Sequence, residues 1–136
     1  MNKSTATLPY TVFLVEDSAM IRDRLRRLID AEPALAVIGT ANGTGAAVRE
    51  LRTLNPDAIV IDIALQEGDG FEVLENVNQM KPKPLIIMLT NYTYVSYRVR
   101  GLSEGAHYFF DKSTEFDSVI SVLRKHADER AKDVTH

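Results

Sequence analysis

The chain predicts a doubly wound α/β fold: a five-stranded parallel sheet with helices on both faces. Two observations carry that expectation. Runs at 12–15, 58–61, 85–89 and 108–110 are apolar without interruption, as strands are when both faces of a parallel sheet are covered. Between them lie stretches with apolar residues at helical spacing, so strand and helix alternate along almost the whole length.

The elements follow in order. Val12, Phe13, Leu14 and Val15 make a first strand that stops on Glu16 and Asp17. Ser18 can cap a helix in which Ala19, Ile21, Leu25, Leu28 and Ile29 are apolar, with Pro33 beyond its end. Residues 35–38 read as a short second strand, 39–45 as loop, and 46–54 as a helix with Ala47, Leu51 and Leu54 inward. Asn55-Pro56-Asp57 is a turn that launches the third strand, which ends on Asp62. Asp69 can cap a third helix carrying Phe71, Val73, Leu74 and Val77. The fourth strand ends on Thr90. A helix over 93–103 is aromatic and poorly patterned, and Gly105 breaks it. The fifth strand, Tyr108-Phe109-Phe110, runs into Asp111 and Lys112, and a last helix starts near Thr114 with Phe116, Val119, Ile120 and Leu123 inward. Five such units suit the flavodoxin-like strand order 2-1-3-4-5. The folded domain is expected over 10–130, with disordered tails over 1–9 and 131–136.

Bulk properties narrow the class. A length of 136 residues fits one domain with one core, and 45% hydrophobic with 26% charged residues is near the globular average. The net charge of -3 lacks the basic excess of a nucleic-acid binder. No apolar stretch approaches a membrane span, and the N-terminus has no signal-peptide apolar region. Zero cysteines exclude disulfides and thiolate metal sites and fit a cytoplasmic protein.

In doubly wound sheets ligands bind just beyond the carboxyl ends of the strands. Four strands would therefore deliver Glu16, Asp17, Asp62, Thr90 and Lys112 to one rim. Asp17 could be a mere helix cap, Thr90 a strand-end hydroxyl and Lys112 an ordinary surface lysine. Asp62 resists that reading, because it sits inside an apolar run with no helix start until about Asp69. Carboxylates this close must raise a pKa or hold a cation. An oxygen-only cluster suits a hard ion, Mg²⁺ above all. With a hydroxyl and an ammonium group added, the set has what is needed to neutralise and hold a phosphoryl group on an aspartate.

At these residues the chain resembles the receiver domain of two-component response regulators, over about Tyr10 to Lys125. Glu16-Asp17 is similar to the family's acidic pair, Asp62 to its phospho-acceptor, and Asp69-Gly70 to the loop-helix signature that follows. Thr90 matches the hydroxyl, Gly105-Ala106 the glycine-alanine before the fifth strand, and Lys112 the lysine. Phe109 falls on the switch aromatic. The resemblance implies Mg²⁺ held by Asp17, Asp62 and the carbonyl of Ala64, with Glu16 acting through water. It implies a histidine kinase or phosphotransfer protein as donor and inward movement of Thr90 and Phe109 on phosphorylation. The output would be protein contact through the face made by helix 4, strand 5 and helix 5, as a monomer or a phosphorylation-dependent dimer. No enzymatic activity beyond phosphoryl acceptance and slow self-dephosphorylation is implied, and no direct nucleic-acid contact.

Several positions depart from the family's commonest pattern. Gln66 replaces a usual proline, which would loosen the loop after Asp62. Ser113 replaces the proline after Lys112, which argues against a cis peptide there. Asn91 follows Thr90 where a small residue is usual. Ala64 cannot position an attacking water and Tyr92 can shield the site, so a long-lived phosphoryl state is expected. Gly43-Thr44-Gly45 is too incomplete to be a dinucleotide fingerprint. Arg22, Arg24, Arg26 and Arg27 form a solvated face or a docking surface for an acidic partner. Tyr92, Tyr94 and Tyr97 are partner contacts or half-buried packing, and neither His107 nor His126 has metal-ligand spacing. The rival reading is the receiver fragment of a longer DNA-binding regulator. A flavin-binding protein is disfavoured by acids where phosphate-binding groups belong. A haloacid-dehalogenase-like phosphatase would need an acid at Ala19.

Overall fold

Every strand lies between two layers of helix, and its successive side chains serve two different cores. The computed structural model describes residues 8–134. Its elements are β1 (Tyr10–Val15), α1 (Ala19–Asp30), β2 (Leu35–Ala41), α2 (Thr44–Leu51), β3 (Ala58–Ile61), α3 (Gly70–Val77), β4 (Leu85–Thr90), α4 (Val95–Ser103), β5 (Tyr108–Asp111) and α5 (Phe116–Val134). The strands pair in parallel in the order β2-β1-β3-β4-β5, as expected.

Val12 and Leu14 of β1, Val60 of β3 and Ile87 of β4 pack with Leu25 and Ile29 of α1 and Val119 and Leu123 of α5. Their neighbours Phe13, Val15, Ile59, Ile61, Ile86 and Met88 face the other way, onto Ala47 and Leu51 of α2 and Val73, Leu74 and Val77 of α3. Both faces are dry, which is why the strand runs show no polar alternation. Burying each such aliphatic side chain stabilises the fold by about 2 kcal/mol.

Boundaries differ from expectation where tertiary contacts decide them. β2 continues through Ala41, although 39–41 were expected as loop. Its register to β1 shifts between Val12 and Phe13, so Ile38 is bulged out. A Cβ on Gly39 would lie 2.8 Å from Phe13 Cε1, so this glycine leaves room for a core ring. α2 spans Thr44–Leu51 rather than 46–54. Ala19 is exposed rather than inward, and α4 buries Gly101 alone. A Cβ there would come within 2.9 Å of Met88 Sδ and 3.1 Å of Phe109 Cδ2. That close approach explains the weak apolar pattern of α4.

Residues 131–134, expected as tail, belong to α5, which reaches Val134; 1–7 and 135–136 lie outside the described residues. Arg130 anchors the helix end. Its Nη1 donates to Asp57 Oδ2 at 2.8 Å and its Nη2 to the Leu8 carbonyl at 2.7 Å. Asp57 Oδ2 also accepts from Thr11 N at 2.8 Å, and the guanidinium lies 5.1 Å from the Tyr10 ring centre. This latch closes the end of the sheet opposite the acidic rim.

Burial, aided by the Asp57 charge and opposed by Arg130, pushes the Tyr10 hydroxyl up to about 12. The unfolded phenol ionises near pH 10, so the folded state binds more protons in between. Stability is therefore expected to fall as pH rises from 10 through 12, and Tyr10→Phe should lose this part of the slope. Urea unfolding of both proteins across that range checks it; equal slopes would refute the assignment.

Candidate functional site

Parallel pairing sets the site. Val15 is in register with Ile61, so the residues that follow them, Glu16 and Asp62, emerge side by side. Asp62 N donates to the Val15 carbonyl at 3.0 Å, and Lys112 N donates to the Thr90 carbonyl at 2.9 Å. Lys112 leaves β5 and reaches across the end of β4. Its Nζ donates to Glu16 Oε1 and to Asp62 Oδ2, each at 2.7 Å. Lys112 keeps 9% of its side-chain exposure, Glu16 3% and Asp62 6% when paired. One buried ammonium thus bridges two buried carboxylates.

Electrostatics follow from that burial. Desolvation raises the Glu16 carboxyl above its ordinary value, although Lys112 and the Ser18 amide, at 3.0 Å from Oε2, both favour its charge. Burial pulls the Lys112 ammonium down, but its hydrogen bonds to Asp62 and Glu16 outweigh that and hold it above its ordinary value. Both Glu16 oxygens are engaged by protein. Asp17 is exposed, and its carboxylate has no hydrogen bond or ion pair among the described residues. Asp62 Oδ1 has only the long 3.4 Å contact from Ala64 N.

The remaining expected residues are close by in the fold. Thr90 is buried, and its Oγ1 accepts from Tyr92 N at 3.2 Å. Inward movement of Phe109 was expected on phosphorylation; in this structure the ring already lies inward, 3% exposed. Arg98 Nη1 donates to the Phe109 carbonyl at 2.9 Å, with its guanidinium 5.0 Å from the ring centre. The Lys112-Ser113 peptide is trans. Ser113 N donates to Asp111 Oδ1 at 2.8 Å. Gln66 does not loosen the loop after Asp62: its side chain accepts from Asn42 Nδ2 at 2.8 Å.

Some contributors were not legible as such. Arg22 Nη1 donates to the carbonyls of Glu16 (2.8 Å) and Asp17 (3.3 Å), tying α1 to the acidic pair. Arg24 covers the Phe116 ring at 4.2 Å. Two of the four helix-1 arginines are thus engaged with protein. Tyr97 packs edge-on to Phe71 and Tyr94, while Tyr92 and Tyr94 are exposed. His107 Nδ1 accepts from Ile86 N at 3.0 Å, a structural role.

A model of the response regulator receiver domain matches residues 12–124. The chain belongs to this family. It is 28% identical over 117 residues to a protein-glutamate methylesterase/protein-glutamine glutaminase of Carboxydothermus hydrogenoformans, covering 85% of this chain and 34% of that one. A protein of the same name from Xanthomonas campestris is 32% identical over 110 residues, covering 79% of this chain and 30% of that one. The chain spans about a third of the length of these curated relatives. Among solved structures, the response regulator domain of Thermotoga maritima CheB superposes with a TM-score of 0.76 at 29% identity, covering 89% of this chain and 95% of that one. The receiver domain of a NarL from Mycobacterium tuberculosis shares the fold, with a TM-score of 0.80 at 18% identity over 90% of this chain and 98% of that one.

Receiver domains bind Mg²⁺ at their acidic pocket, and the residues here fit that ion. Oxygens of Glu16, Asp17 and Asp62 lie within 4.8 Å of one another. Three carboxylates and one ammonium leave two net negative charges (3 − 1 = 2), which a dication balances. The donors are all hard oxygens, with no sulfur or imidazole.

Lys112→Ala would leave two buried carboxylates without their cation. We expect a loss of about 3 kcal/mol at pH 7 without Mg²⁺. The loss should shrink as pH falls through the raised Glu16 value, where that carboxyl becomes neutral. Urea unfolding of wild type and variant at several pH values measures it. A pH-independent loss would rule out the charge bridge as its cause.

Proposed function

We propose that this receiver domain is a signalling switch phosphorylated on Asp62. The observation that carries the reading is the Lys112 ammonium on Asp62 Oδ2 at 2.7 Å, at the shared rim of β1 and β3. A carboxylate so held is buried and fixed in orientation, which suits an attacking group. One Asp62 oxygen attacks the phosphorus of a phosphohistidine on a histidine kinase or phosphotransfer protein. The phosphorus–nitrogen bond breaks, and its electron pair leaves with the imidazole. Asp17, Asp62 and the Ala64 carbonyl would hold Mg²⁺, with Glu16 acting through water. When bound, the ion supplies charge neutralisation of the phosphoryl oxygens. Lys112 stabilises the same charge, and the Thr90 hydroxyl can donate to a phosphoryl oxygen once it turns from Tyr92 N.

Output runs by protein contact, and the setting is cytoplasmic; no helix among the described residues is long and apolar enough to cross a membrane. The contact face is that of α4, β5 and α5. Its support is an apolar stripe on α4 at helical spacing, Val95, Val99 and Leu102, exposed by 77%, 60% and 43%. Phe109 lies beneath that helix, against Gly101, and is in register with Met88 of β4.

Incubation with Mg²⁺ and a small phosphodonor should add one phosphoryl group by intact mass, and Asp62→Ala should abolish the gain. No gain in wild type sinks the reading. Ala64 offers no group to position an attacking water, and Tyr92 flanks Thr90. The phosphoryl group is therefore long-lived, and Ala64→Asn and Tyr92→Ala should each hasten its loss several-fold. Unchanged decay in both would count against shielding.

A further inference from the structure

The loop that carries Ala64 is closed at its base and pinned at its tip. At the base, Gly70 N donates to the Ile63 carbonyl at 2.8 Å, and Ala64 pairs with Asp69 across an antiparallel bridge. A Cβ on Gly70 would collide with the Asp62 carbonyl, so the chain closes here on glycine. At the tip, the turn between β2 and α2 grips the loop. Thr44 N donates to the Glu67 carbonyl at 2.9 Å. Gly45 N, in the first turn of α2, donates to Glu67 Oε1 at 2.9 Å. Gln66 N donates to the Asn42 carbonyl at 3.2 Å, and Asn42 Nδ2 returns a bond to Gln66 Oε1 at 2.8 Å. A Cβ on Gly43 would come 2.9 Å from the Glu67 carbonyl, so glycine permits the approach.

Proline, the residue usual at position 66, has no backbone N–H and no side-chain amide and could make neither bond to Asn42. This chain has therefore exchanged a stiff loop residue for a tether to α2. The tip residues Gln66, Glu67 and Gly68 are exposed and bury no apolar side chain, so the tether adds little to the core. Its effect falls on what the loop carries. Ala64 supplies the carbonyl of the proposed Mg²⁺ set, and Ala64 N donates to Asp62 Oδ1 at 3.4 Å.

We infer that Glu67, with Gln66 and Asn42, is a positioning residue of the Mg²⁺ site, holding the loop to α2 so that the Ala64 carbonyl and Asp62 keep one geometry. The inference rests on the Mg²⁺ reading above. Partners behind the ligands of a metal are typically worth about 10–100-fold in affinity.

Mg²⁺ titration calorimetry of the full chain, with urea unfolding alongside, tests it. Glu67→Ala should weaken Mg²⁺ binding about 10–100-fold with little loss of stability. Glu67→Gln keeps an acceptor oxygen for Gly45 N and should bind near wild type. Asn42→Ala reaches the tether from its other side and should weaken binding in the same direction. Arg130→Ala, at the far end of the sheet, should lower stability and leave Mg²⁺ affinity unchanged. Wild-type affinity in both Glu67→Ala and Asn42→Ala overturns the tether while the Mg²⁺ reading stands. Equal weakness of Glu67→Gln and Glu67→Ala overturns it too, by making charge the cause. A wild type that takes up no Mg²⁺ overturns the Mg²⁺ reading, and the tether with it.

Discussion

Lys112 carries a charge from the edge of the sheet to its centre, and the acidic rim depends on that reach. Glu16 and Asp62 are almost fully buried, and together they would repel strongly enough to drive one of them neutral. The ammonium lies 2.7 Å from each and offsets that repulsion, while Asp62 Oδ1 has only the long contact from Ala64 N. Burial still raises Glu16, against the opposing pull of Lys112 and the Ser18 amide.

Around that bridge the fold does two separate jobs. Register and alternating burial place the strand ends, since one residue of slip would turn core side chains into the opposite core. The end of the sheet away from the acids is closed by Arg130, Asp57 and Thr11, a latch of side chains with no part in the chemistry. The acidic end is tied by the Lys112 bridge. Loop contacts add to it, through Arg22 on the acidic pair and through Asn42, Gln66 and Glu67 on the loop after Asp62. α4 packs through a glycine and leaves Val95, Val99 and Leu102 in solvent.

How the residues divide between legible and hidden is a matter of distance along the chain. Ser18 and Asp69 were readable as caps because a cap bonds its own helix within three residues. The loop at 39–41 was misread because β2 is extended there by pairing with β1, more than two dozen residues away. The end of α5 was misread for a similar reason: Arg130 finds Asp57 across 73 positions. Gln66 was seen as a departure, but its sense was inverted. Whether an amide in place of a proline frees or fastens a loop depends on what faces it, and Asn42 is 24 residues upstream.

By itself the sequence determined the class of fold, the order of elements and the membership of the rim. Short uninterrupted apolar runs alternating with helical patterns read as strands covered on both faces, and a charged residue at the end of such a run falls at the rim of the sheet. The tertiary structure decided which partners those charges take. It set Lys112 on Glu16 and Asp62 together, left the Asp17 carboxylate unpaired among the described residues, turned Phe109 inward and tied the Ala64 loop to α2. Those outcomes depend on separations of a few ångströms between residues far apart in the chain, and no local pattern encodes such a separation.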